Sequence, residues 1–385
     1  MPTATISTSV LLRLLALYGR ISDFRRRPSP RPPHRLLVVT TGGIGDGVLL
    51  HAIIHHLRRL SPTMEVGILA GFGAAEALAG LRDARFHQYA PGARGTIGWG
   101  KLIRELRRAR YDTALATDHT SFTSAAIVCL ARIRCRVGFR PVNHYPQHRL
   151  FNHVVALDEG RSQWESLLEL ARVVEPDLPP MVEVVPLPIP APLEAQVAAW
   201  WQAVVPAGSR VVAVHPGSGV HEFKRWPVER FVETVRTLQR AAPHLLPLLT
   251  GNGAERDLCE RFRRLYGGLT INAVGVFPGV AATAAILRRC DLLISNDTGV
   301  MHLGAAMGVP TVGLFGPTSP IQWAPRGPHA TYVAGPQPPC SPCIRNYRGA
   351  LPDRCTNPVT GQCLATLAVD QVVGAAARVA GRWLT

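Results

Sequence analysis

The sequence predicts an α/β protein built from two doubly wound domains that face a central cleft. The chain has 385 residues, and at about 100–200 residues per domain this length predicts two domains. Patterns typical of buried strands and of helices alternate along both halves, as expected for parallel sheets covered by helices. A proline-dense segment without a helical pattern, residues 176–192, separates the two runs and is predicted to link the domains.

The first domain is predicted to span residues 35–180. It opens with the continuous apolar run RLLVVTT, which is typical of a parallel strand buried on both faces. A glycine-rich loop and then a helical pattern follow, the usual opening of a doubly wound domain. The predicted strands are 35–41, 65–70, 111–117 and 134–139, and the predicted helices are 48–60, 101–110 and 121–131.

The second domain is predicted to span residues 193–368, followed by a terminal helix over 369–385. Its predicted strands are 211–215, 245–250, 270–274, 292–296 and 311–315, and its predicted helices are 227–241, 253–266, 281–289 and 299–307. Doubly wound sheets bind ligands beyond the carboxyl ends of their strands. We therefore expect the functional motifs in the loops that follow strands.

Residues 1–34 are predicted to be an N-terminal extension. Residues 10–18 are apolar except for Arg13, and several arginines follow them. This pattern fits an amphipathic helix on an anionic inner membrane leaflet, or a loosely ordered terminus. No run reaches the ~18 apolar residues of a membrane span, and no signal-peptide cleavage motif follows. We expect a cytoplasmic protein, with peripheral membrane contact as the alternative.

The net charge of +16 predicts an anionic partner, such as a phosphorylated substrate, an acidic membrane or a nucleic acid. Charge alone does not choose among these partners. Of the 42 basic residues only Lys101 and Lys224 are lysines, so a lysine next to a motif draws attention.

The first motif is Gly42-Gly-Ile-Gly-Asp-Gly47, directly after the first strand. It matches a dinucleotide-binding fingerprint only in part, because the spacing of the third glycine differs. Gly43 and Gly45 allow close approach of a ligand to the backbone. Asp46 could act as a general base toward a sugar hydroxyl, or it could cap the following helix.

Two further motifs follow strands of the second domain. His215-Pro-Gly-Ser-Gly219 places Gly217 and Ser218 in a loop ahead of Lys224, which could contact a phosphate or be a solvated surface residue. Thr250-Gly-Asn-Gly-Ala-Glu255 places Gly251 in a tight turn. Glu255 could bind ribose hydroxyls or favour the helix dipole.

The most informative motif is Ser295-Asn-Asp-Thr-Gly-Val-Met-His302. Asp297 is predicted to be the N-cap of a helix, so that Thr298, Gly299 and Val300 present free N–H groups to an anion such as a diphosphate. His302 shares a helix face with Thr298, although such a histidine often serves packing only. Gly316, in the loop after the next strand, could touch the same ligand.

Together these motifs resemble glycosyltransferase family 9, the heptosyltransferase family, which has the GT-B fold of two Rossmann-like domains. The matching segments are TTGGIGDGVLLHAI, HPGSGVHEFKRWP, LTGNGAE, NDTGVMHLGAAMGVPTVGLFGPTSP and CSPC, in the family's order over residues 35–363. The resemblance implies an inverting transferase that uses ADP-heptose, a lipid-linked lipopolysaccharide core acceptor and no metal cofactor.

The resemblance also implies roles for individual residues. Asp46 matches the catalytic base and Lys224 a lysine at the donor phosphates. Glu255 matches a residue at the donor nucleoside. The residues that match the site of the donor diphosphate and sugar are Asp297, Thr298, Gly299 and His302.

Four late cysteines form the pattern Cys340-x2-Cys343-x11-Cys355-x7-Cys363. Four thiolates could hold a structural zinc ion tetrahedrally, but the second pair lacks the CxxC spacing, so disulfides and free thiols stay open. A catalytic metal is not expected.

Three other functions stay open from the sequence. The protein could use a UDP- or GDP-sugar as donor, or it could bind sugars without catalysis. It could also bind nucleic acid, but the positive charge is dispersed and no recognition motif is present. We therefore expect a nucleotide sugar and a glycan acceptor as ligands, and no nucleic acid.

Overall fold

The computed structural model describes residues 32–88, 96–143, 146–219 and 221–381. The apolar N-terminal stretch 10–18 and the end of the predicted terminal helix lie outside these residues. Within them the chain forms two six-stranded sheets, and every paired strand runs parallel to its neighbour. None of the helices described is both long and apolar enough to cross a membrane.

The first sheet has the strand order β3-β2-β1-β4-β5-β6. Its strands are β1 (Arg35–Thr40), β2 (Glu65–Ala70), β3 (Arg85–Gln88), β4 (Thr113–Ala116), β5 (Cys135–Arg140) and β6 (His153–Ala156). The helices of this half are α1 (Ile44–Leu60), α2 (Phe72–Leu78), α3 (Thr96–Ala109), α4 (Phe122–Leu130) and α5 (Gln163–Val174). A short 3-10 helix, Pro146–Leu150, precedes β6.

The second sheet has the order β12-β11-β10-β7-β8-β9. Its strands are β7 (Arg210–His215), β8 (Leu245–Leu249), β9 (Ile271–Asn272), β10 (Leu292–Asn296), β11 (Thr311–Phe315) and β12 (Ala330–Ala334). The helices are α6 (Ala191–Val204), α7 (Val228–Ala241), α8 (Arg256–Tyr266), α9 (Val280–Leu287), α10 (Gly299–Ala306), α11 (Pro320–Trp323), α12 (Gln362–Ala365) and α13 (Val369–Ala380). Further 3-10 turns lie at Glu222–Lys224, Gly253–Glu255 and Asn346–Arg348.

The strand order places ligand-binding loops at one point in each sheet. The order reverses between β1 and β4 in the first sheet and between β7 and β10 in the second. A crevice opens beyond the carboxyl ends of the strands at such a switch point. The loops that begin at residues 41, 117, 216 and 297 therefore border the crevices.

The predicted architecture of two doubly wound parallel sheets is confirmed. The central strands are buried on both faces, and Leu36, Leu37, Val38 and Val39 are all 0% exposed. Burial on both sides explains why these strands read as unbroken apolar runs.

One predicted helix start is wrong in a way that matters for the site. The first helix begins at Ile44 and not at residue 48, so Asp46 lies in its first turn. The Asp46 carboxylate accepts the N–H of Gly43 at 3.0 Å, which provides the N-terminal cap that allows the glycine-rich loop to enter the helix early.

Eight helices and strands were not predicted: α2, β3, β6, α5, α6, α11, α12 and β12. The edge strands β3 and β6 are largely exposed and so lack an unbroken apolar run. The start of α6 falls inside the predicted linker, because proline is tolerated in the first turn of a helix. For α5 the sequence did contain a start pattern, the capping box of Ser162 and Glu165.

The segment after β12, residues 335–361, reaches back to the first sheet, and we call it the connecting loop. Its Tyr347 is 0% exposed and packs in the same core cluster as β1, α1 and α5. The neighbouring Arg348 forms an ion pair with Glu159, and its carbonyl accepts the side-chain N–H of Asn143 at 3.0 Å. A part of the chain that follows the second sheet therefore completes the core of the first.

A glycine in α1 allows the close packing of α1 on α2. A Cβ atom at Gly47 would lie 2.8 Å from the carbonyl oxygen of Ala74 and 2.7 Å from the Cβ atom of Ala77. We expect Gly47→Ala to lower the free energy of unfolding in urea denaturation, because overpacking costs about 1–3 kcal/mol and outweighs the gain in helix propensity.

The matched control is Gly100→Ala in α3, where an added Cβ meets no described atom within 4 Å. This change should raise the free energy of unfolding by up to about 1 kcal/mol, the helix-propensity difference between alanine and glycine. Equal effects of the two substitutions would contradict the packing argument.

Candidate active site

The site lies in a cleft between the two sheets, in a cavity of about 710 Å³. The first half contributes the loops after β1 and β4, and the second half contributes the loops after β7 and β10. The lining residues that the sequence predicted are Gly43, Gly45, Asp46, Lys224, Asp297, Thr298, Gly299 and His302. The structure thus brings together predicted residues that are up to 259 positions apart in the chain, from Gly43 to His302.

Two helix starts, one from each half, touch across this cleft. A Cβ atom at Gly299 would lie 2.6 Å from the Cβ atom of Ile44 and 3.0 Å from the backbone nitrogen of Gly45. A Cβ atom at Gly45 would lie 2.8 Å from the ring of His302. Only glycine allows the first turns of α1 and α10 to approach this closely.

Asp46 is held by two hydrogen bonds at the floor of the cleft. Its Oδ2 accepts the N–H of Gly43 at 3.0 Å, and its Oδ1 accepts the side-chain N–H of Gln163 at 3.3 Å. Burial raises the pKa of Asp46 to about 6, and the nearby Asp118 carboxylate adds to the rise. A carboxylate with a pKa near neutrality is suited to general-base catalysis.

Asp118 and His119 line the same cavity and were missed in the sequence. Asp118 accepts the N–H of Thr41 at 2.6 Å and its hydroxyl at 2.9 Å, which ties the loop after β4 to the loop after β1. Burial raises the pKa of Asp118 and lowers that of His119 to about 4. Both residues follow β4 at the switch point, so the strand-order rule could have identified them.

On the second half, the Lys224 ammonium lies 3.0 Å from the carboxylate of Asp297, and their side chains are 16% and 9% exposed. The predicted N-cap is wrong: Thr298, not Asp297, is the N-cap of α10. The N–H of Asp297 donates to the carbonyl of Leu314, which holds Asp297 at the strand end. From there its carboxylate orients Lys224 toward the cleft.

Asn296 fixes the two second-half loops relative to each other. Its side-chain nitrogen donates to the carbonyls of Pro216 and Gly217 at 2.9 and 3.1 Å. Its side-chain oxygen accepts the N–H of Trp226 at 3.1 Å. This fully buried amide therefore sets the positions of Lys224 and of the start of α10.

The start of α10 is a positive helix end that faces the cavity. The N–H groups of Gly299 and Val300 have no partner within the helix, and the helix dipole adds partial positive charge. His302 follows within the same helix, and burial lowers its pKa to about 4, so its ring is neutral at physiological pH. Its Nδ1 is buried without a hydrogen-bond partner in the structure.

A second cavity of about 510 Å³ adjoins the first, and Ile44, Thr298 and Gly299 border both. Glu255, Gly251 and Val300 line this second cavity. Glu255 is 3% exposed and accepts the N–H groups of Asn252 at 2.9 Å and Gly219 at 3.2 Å. The positive start of α10 thus lies where the two cavities meet.

Three predicted supporting residues are not among the described residues that line either cavity. Gly217 lies beneath Glu255, since a Cβ atom there would be 2.0 Å from the Glu255 carboxylate. The Ser218 hydroxyl donates to the carbonyl of His221 at 2.7 Å. Gly316 packs against Cys363 and Leu364. These residues support the loops that border the site, and they line neither cavity.

The four late cysteines border one small cavity together with Phe223 and Pro317. Each is a free thiol in the structure. Among the described residues, no group of three or more His, Cys, Asp or Glu side chains could hold a metal ion. The structure therefore places the four cysteines around one cavity, and the structural zinc ion stays a prediction.

Comparison with known proteins agrees with this architecture. The profile of glycosyltransferase family 9 (heptosyltransferase) matches residues 99–350. Lipooligosaccharide heptosyltransferase 2 of Haemophilus influenzae is 23% identical over 313 residues, which cover 77% of this chain and 88% of the relative.

Two solved structures have a similar fold. A glycosyltransferase family 9 protein of Veillonella parvula has a TM-score of 0.72 at 19% identity, covering 92% of this chain and 99% of that one. Heptosyltransferase WaaC of E. coli, solved with ADP, has a TM-score of 0.64 at 19% identity, covering 88% and 97%.

The two facing doubly wound sheets form the GT-B fold, and the match to the family model makes the protein a glycosyltransferase. The chain belongs to glycosyltransferase family 9, the heptosyltransferase family.

The raised pKa of Asp46 has a consequence for stability. Because the folded-state pKa is about 6 and the ordinary value is 3.8, ionising Asp46 costs folding free energy. This cost grows as the pH rises through that window and stays constant above it. We expect Asp46→Asn, whose oxygen can still accept from Gly43 but which loses the hydrogen bond from Gln163, to stabilise the protein at pH 7.5 by on the order of 1 kcal/mol.

Urea denaturation at pH 5 and pH 7.5 would test this expectation. The gain from Asp46→Asn should be smaller at pH 5, where less of the cost has developed. A gain that is absent at pH 7.5, or that is larger at pH 5, would contradict the assigned pKa.

Proposed function

We propose that the protein transfers heptose from ADP-heptose to a lipopolysaccharide core acceptor with inversion, and that Asp46 is the general base. One observation carries the proposal. A carboxylate from the first half and a lysine with a positive helix end from the second half border the same cavity. This is the arrangement that direct displacement of a diphosphate by a hydroxyl needs.

The donor would bind across both cavities. Its nucleoside would lie in the cavity beside Glu255, which can accept hydrogen bonds from ribose hydroxyls. Its diphosphate would lie at the junction, where the N–H groups of Gly299 and Val300 face it. The E. coli relative solved with ADP supports an adenine nucleotide as donor.

The leaving group gains negative charge as the glycosidic bond breaks. Lys224 lies at this cavity with Asp297 beside it, and the start of α10 adds partial positive charge. Fixed positive groups that face developing charge in a partly dry cleft stabilise the transition state strongly. Lys224 and α10 would therefore stabilise the departing ADP.

Asp46 would take the proton of the attacking acceptor hydroxyl. The acceptor oxygen forms a bond to the anomeric carbon, the bond from that carbon to the diphosphate oxygen breaks, and the proton passes to Asp46. A single displacement of this kind inverts the anomeric centre. The pKa of about 6 leaves Asp46 mostly ionised at neutral pH and therefore able to act.

The acceptor would occupy the wall of the 710 Å³ cavity nearest the first half, beside Asp118 and His119. Its assignment to the lipopolysaccharide core is supported by relatives that are named lipopolysaccharide or lipooligosaccharide heptosyltransferases.

The proposal is tested by measuring nucleotide release from ADP-heptose, UDP-sugars and GDP-sugars with lipopolysaccharide core acceptors. We expect ADP-heptose to be preferred, and Asp46→Asn to lower kcat about 10²–10⁴-fold, which is the usual loss when a general base is removed. ADP affinity, measured by calorimetry, should change little. An Asp46→Asn enzyme with wild-type turnover would refute the role of Asp46, and preference for another donor would refute ADP-heptose.

The nucleoside cavity is tested separately with Gly217→Ala. The new Cβ would overlap the Glu255 carboxylate and displace it. We expect ADP to bind roughly tenfold more weakly or worse, as for loss of a hydrogen bond to a charged group. The companion variant Glu255→Gln keeps the side chain in shape and should lose less affinity. Unchanged ADP binding by Gly217→Ala would place the nucleoside elsewhere.

A further inference from the structure

Behind Asp46 lies a buried polar network that the proposed mechanism does not use. Gln163, the first residue of α5, is 2% exposed, and its side-chain nitrogen donates to Asp46 Oδ1 at 3.3 Å. Its side-chain oxygen lies 2.8 Å from His119 Nε2 and accepts the Tyr347 hydroxyl at 3.3 Å. One amide therefore connects the carboxylate to two aromatic side chains.

Asp46 and the two aromatic partners together determine which way the Gln163 amide faces. Burial raises the pKa of the Tyr347 hydroxyl, so this group keeps its hydrogen and can donate it. The ionised Asp46 carboxylate can only accept, so the amide turns its NH₂ group toward Asp46 and its oxygen toward the two aromatic side chains. The Tyr347 hydroxyl and a hydrogen on His119 Nε2 then both donate to that oxygen. A flipped amide would oppose its oxygen to the carboxylate and its NH₂ group to both donors.

Tyr347 comes from the connecting loop and reaches this network from beyond the second sheet. It is fully buried, lies 3.2 Å from the Ser166 hydroxyl, and packs edge-on against His119 with ring centres 4.7 Å apart. The adjacent ion pair of Arg348 with Glu159 anchors the loop on the first half. These contacts fix the position of the Tyr347 side chain.

We propose that Gln163 and Tyr347 are positioning residues for Asp46: Tyr347 fixes the Gln163 amide, and Gln163 fixes the carboxylate. The inference rests on the proposed role of Asp46 as general base. Gly43 holds one carboxylate oxygen and Gln163 holds the other, so together they fix the rotation of the group. The orientation of Asp46, in the first half, then depends on Tyr347, which follows the second sheet in the chain.

The network also acts on the proton affinity of Asp46. A hydrogen bond donated to the ionised carboxylate favours the ionised form, so its loss raises the pKa. The acidic limb of the kcat–pH profile should then move to higher pH. The titratable and charged groups that border the same cavity or network are Asp118, His119, His221, Lys224, Asp297, His302 and Tyr347, among the described residues. All of these except Tyr347 remain in the variants below.

The test compares Gln163→Met, Tyr347→Phe and the double variant of the full chain. We expect kcat to fall about tenfold for Gln163→Met, as for loss of a hydrogen bond to a charged group, and by a smaller factor for Tyr347→Phe. In both variants the acidic limb should move to higher pH, while the KM for the donor stays unchanged. The double variant should match Gln163→Met, because Tyr347 acts through Gln163.

The matched control is Tyr266→Phe, which removes a buried tyrosine hydroxyl bonded to Gln239 Oε1 at 2.8 Å, away from the cleft. It should leave both kcat and the pH profile unchanged. Wild-type pH profiles in Gln163→Met and Tyr347→Phe would overturn the proposal, and an additive loss in the double variant would overturn the role of Tyr347. If Tyr347→Phe does not fold, Gln163→Met alone decides whether Asp46 is positioned through this amide.

The two proposals fail in different ways. An active Asp46→Asn enzyme refutes the general base itself. An inactive Asp46→Asn enzyme alongside unshifted positioning variants refutes only the network.

Discussion

The contact between the first turns of α1 and α10 is the constraint on which the rest of the site depends. Each helix comes from a different half, and Gly45 and Gly299 leave too little room for any side chain between them. This contact places Asp46 opposite the anion-binding end of α10. It also makes Ile44, Thr298 and Gly299 the shared border of the two cavities. A larger residue at either glycine would separate the halves and also the groups that the proposed chemistry requires close together.

Specific partners hold each charged side chain at this border in a fixed position. Lys224 lies against Asp297, and buried Asn296 holds the loops that carry both. Asp46 is held by the backbone N–H of Gly43, the N-cap residue of its own helix. Burial raises its pKa and two hydrogen bonds oppose that rise, which leaves the group near the value a base needs at neutral pH. The same raised pKa that suits Asp46 to act as a base also lowers the folding stability at neutral pH.

The sequence predicts the parts of this site that are local in the chain. The glycine loop, the Lys224 loop and the start of α10 each follow a strand, and the switch-point rule brings them to one cleft. The sequence could not predict that Gln163, which lies 117 residues from Asp46 in the chain, belongs to the site. The same holds for Tyr347, which lies 184 residues from Gln163. The Tyr347 contact arises from the path of the connecting loop, for which the sequence shows no periodicity, and the Gln163 contact arises from α5, a helix that was not predicted. The predicted N-cap at Asp297 was wrong because its carboxylate pairs with Lys224 and its N–H continues the hydrogen bonding between β10 and β11.

The connecting loop adds a structural dependence between donor and base. Lys224, Thr298 and Tyr347 all follow the interdomain linker in the chain, whereas Asp46 and Gln163 precede it. Tyr347 inserts into the first core, and the loop that carries it also borders the cluster of free cysteines. The side chains that would hold the leaving group and the side chain that would orient the base therefore belong to the same stretch of chain. A change that displaces this loop from Glu159 and Asn143 would disturb the orientation of Asp46. It would also move Ile344, Asn346 and Leu351, which line the 710 Å³ cavity.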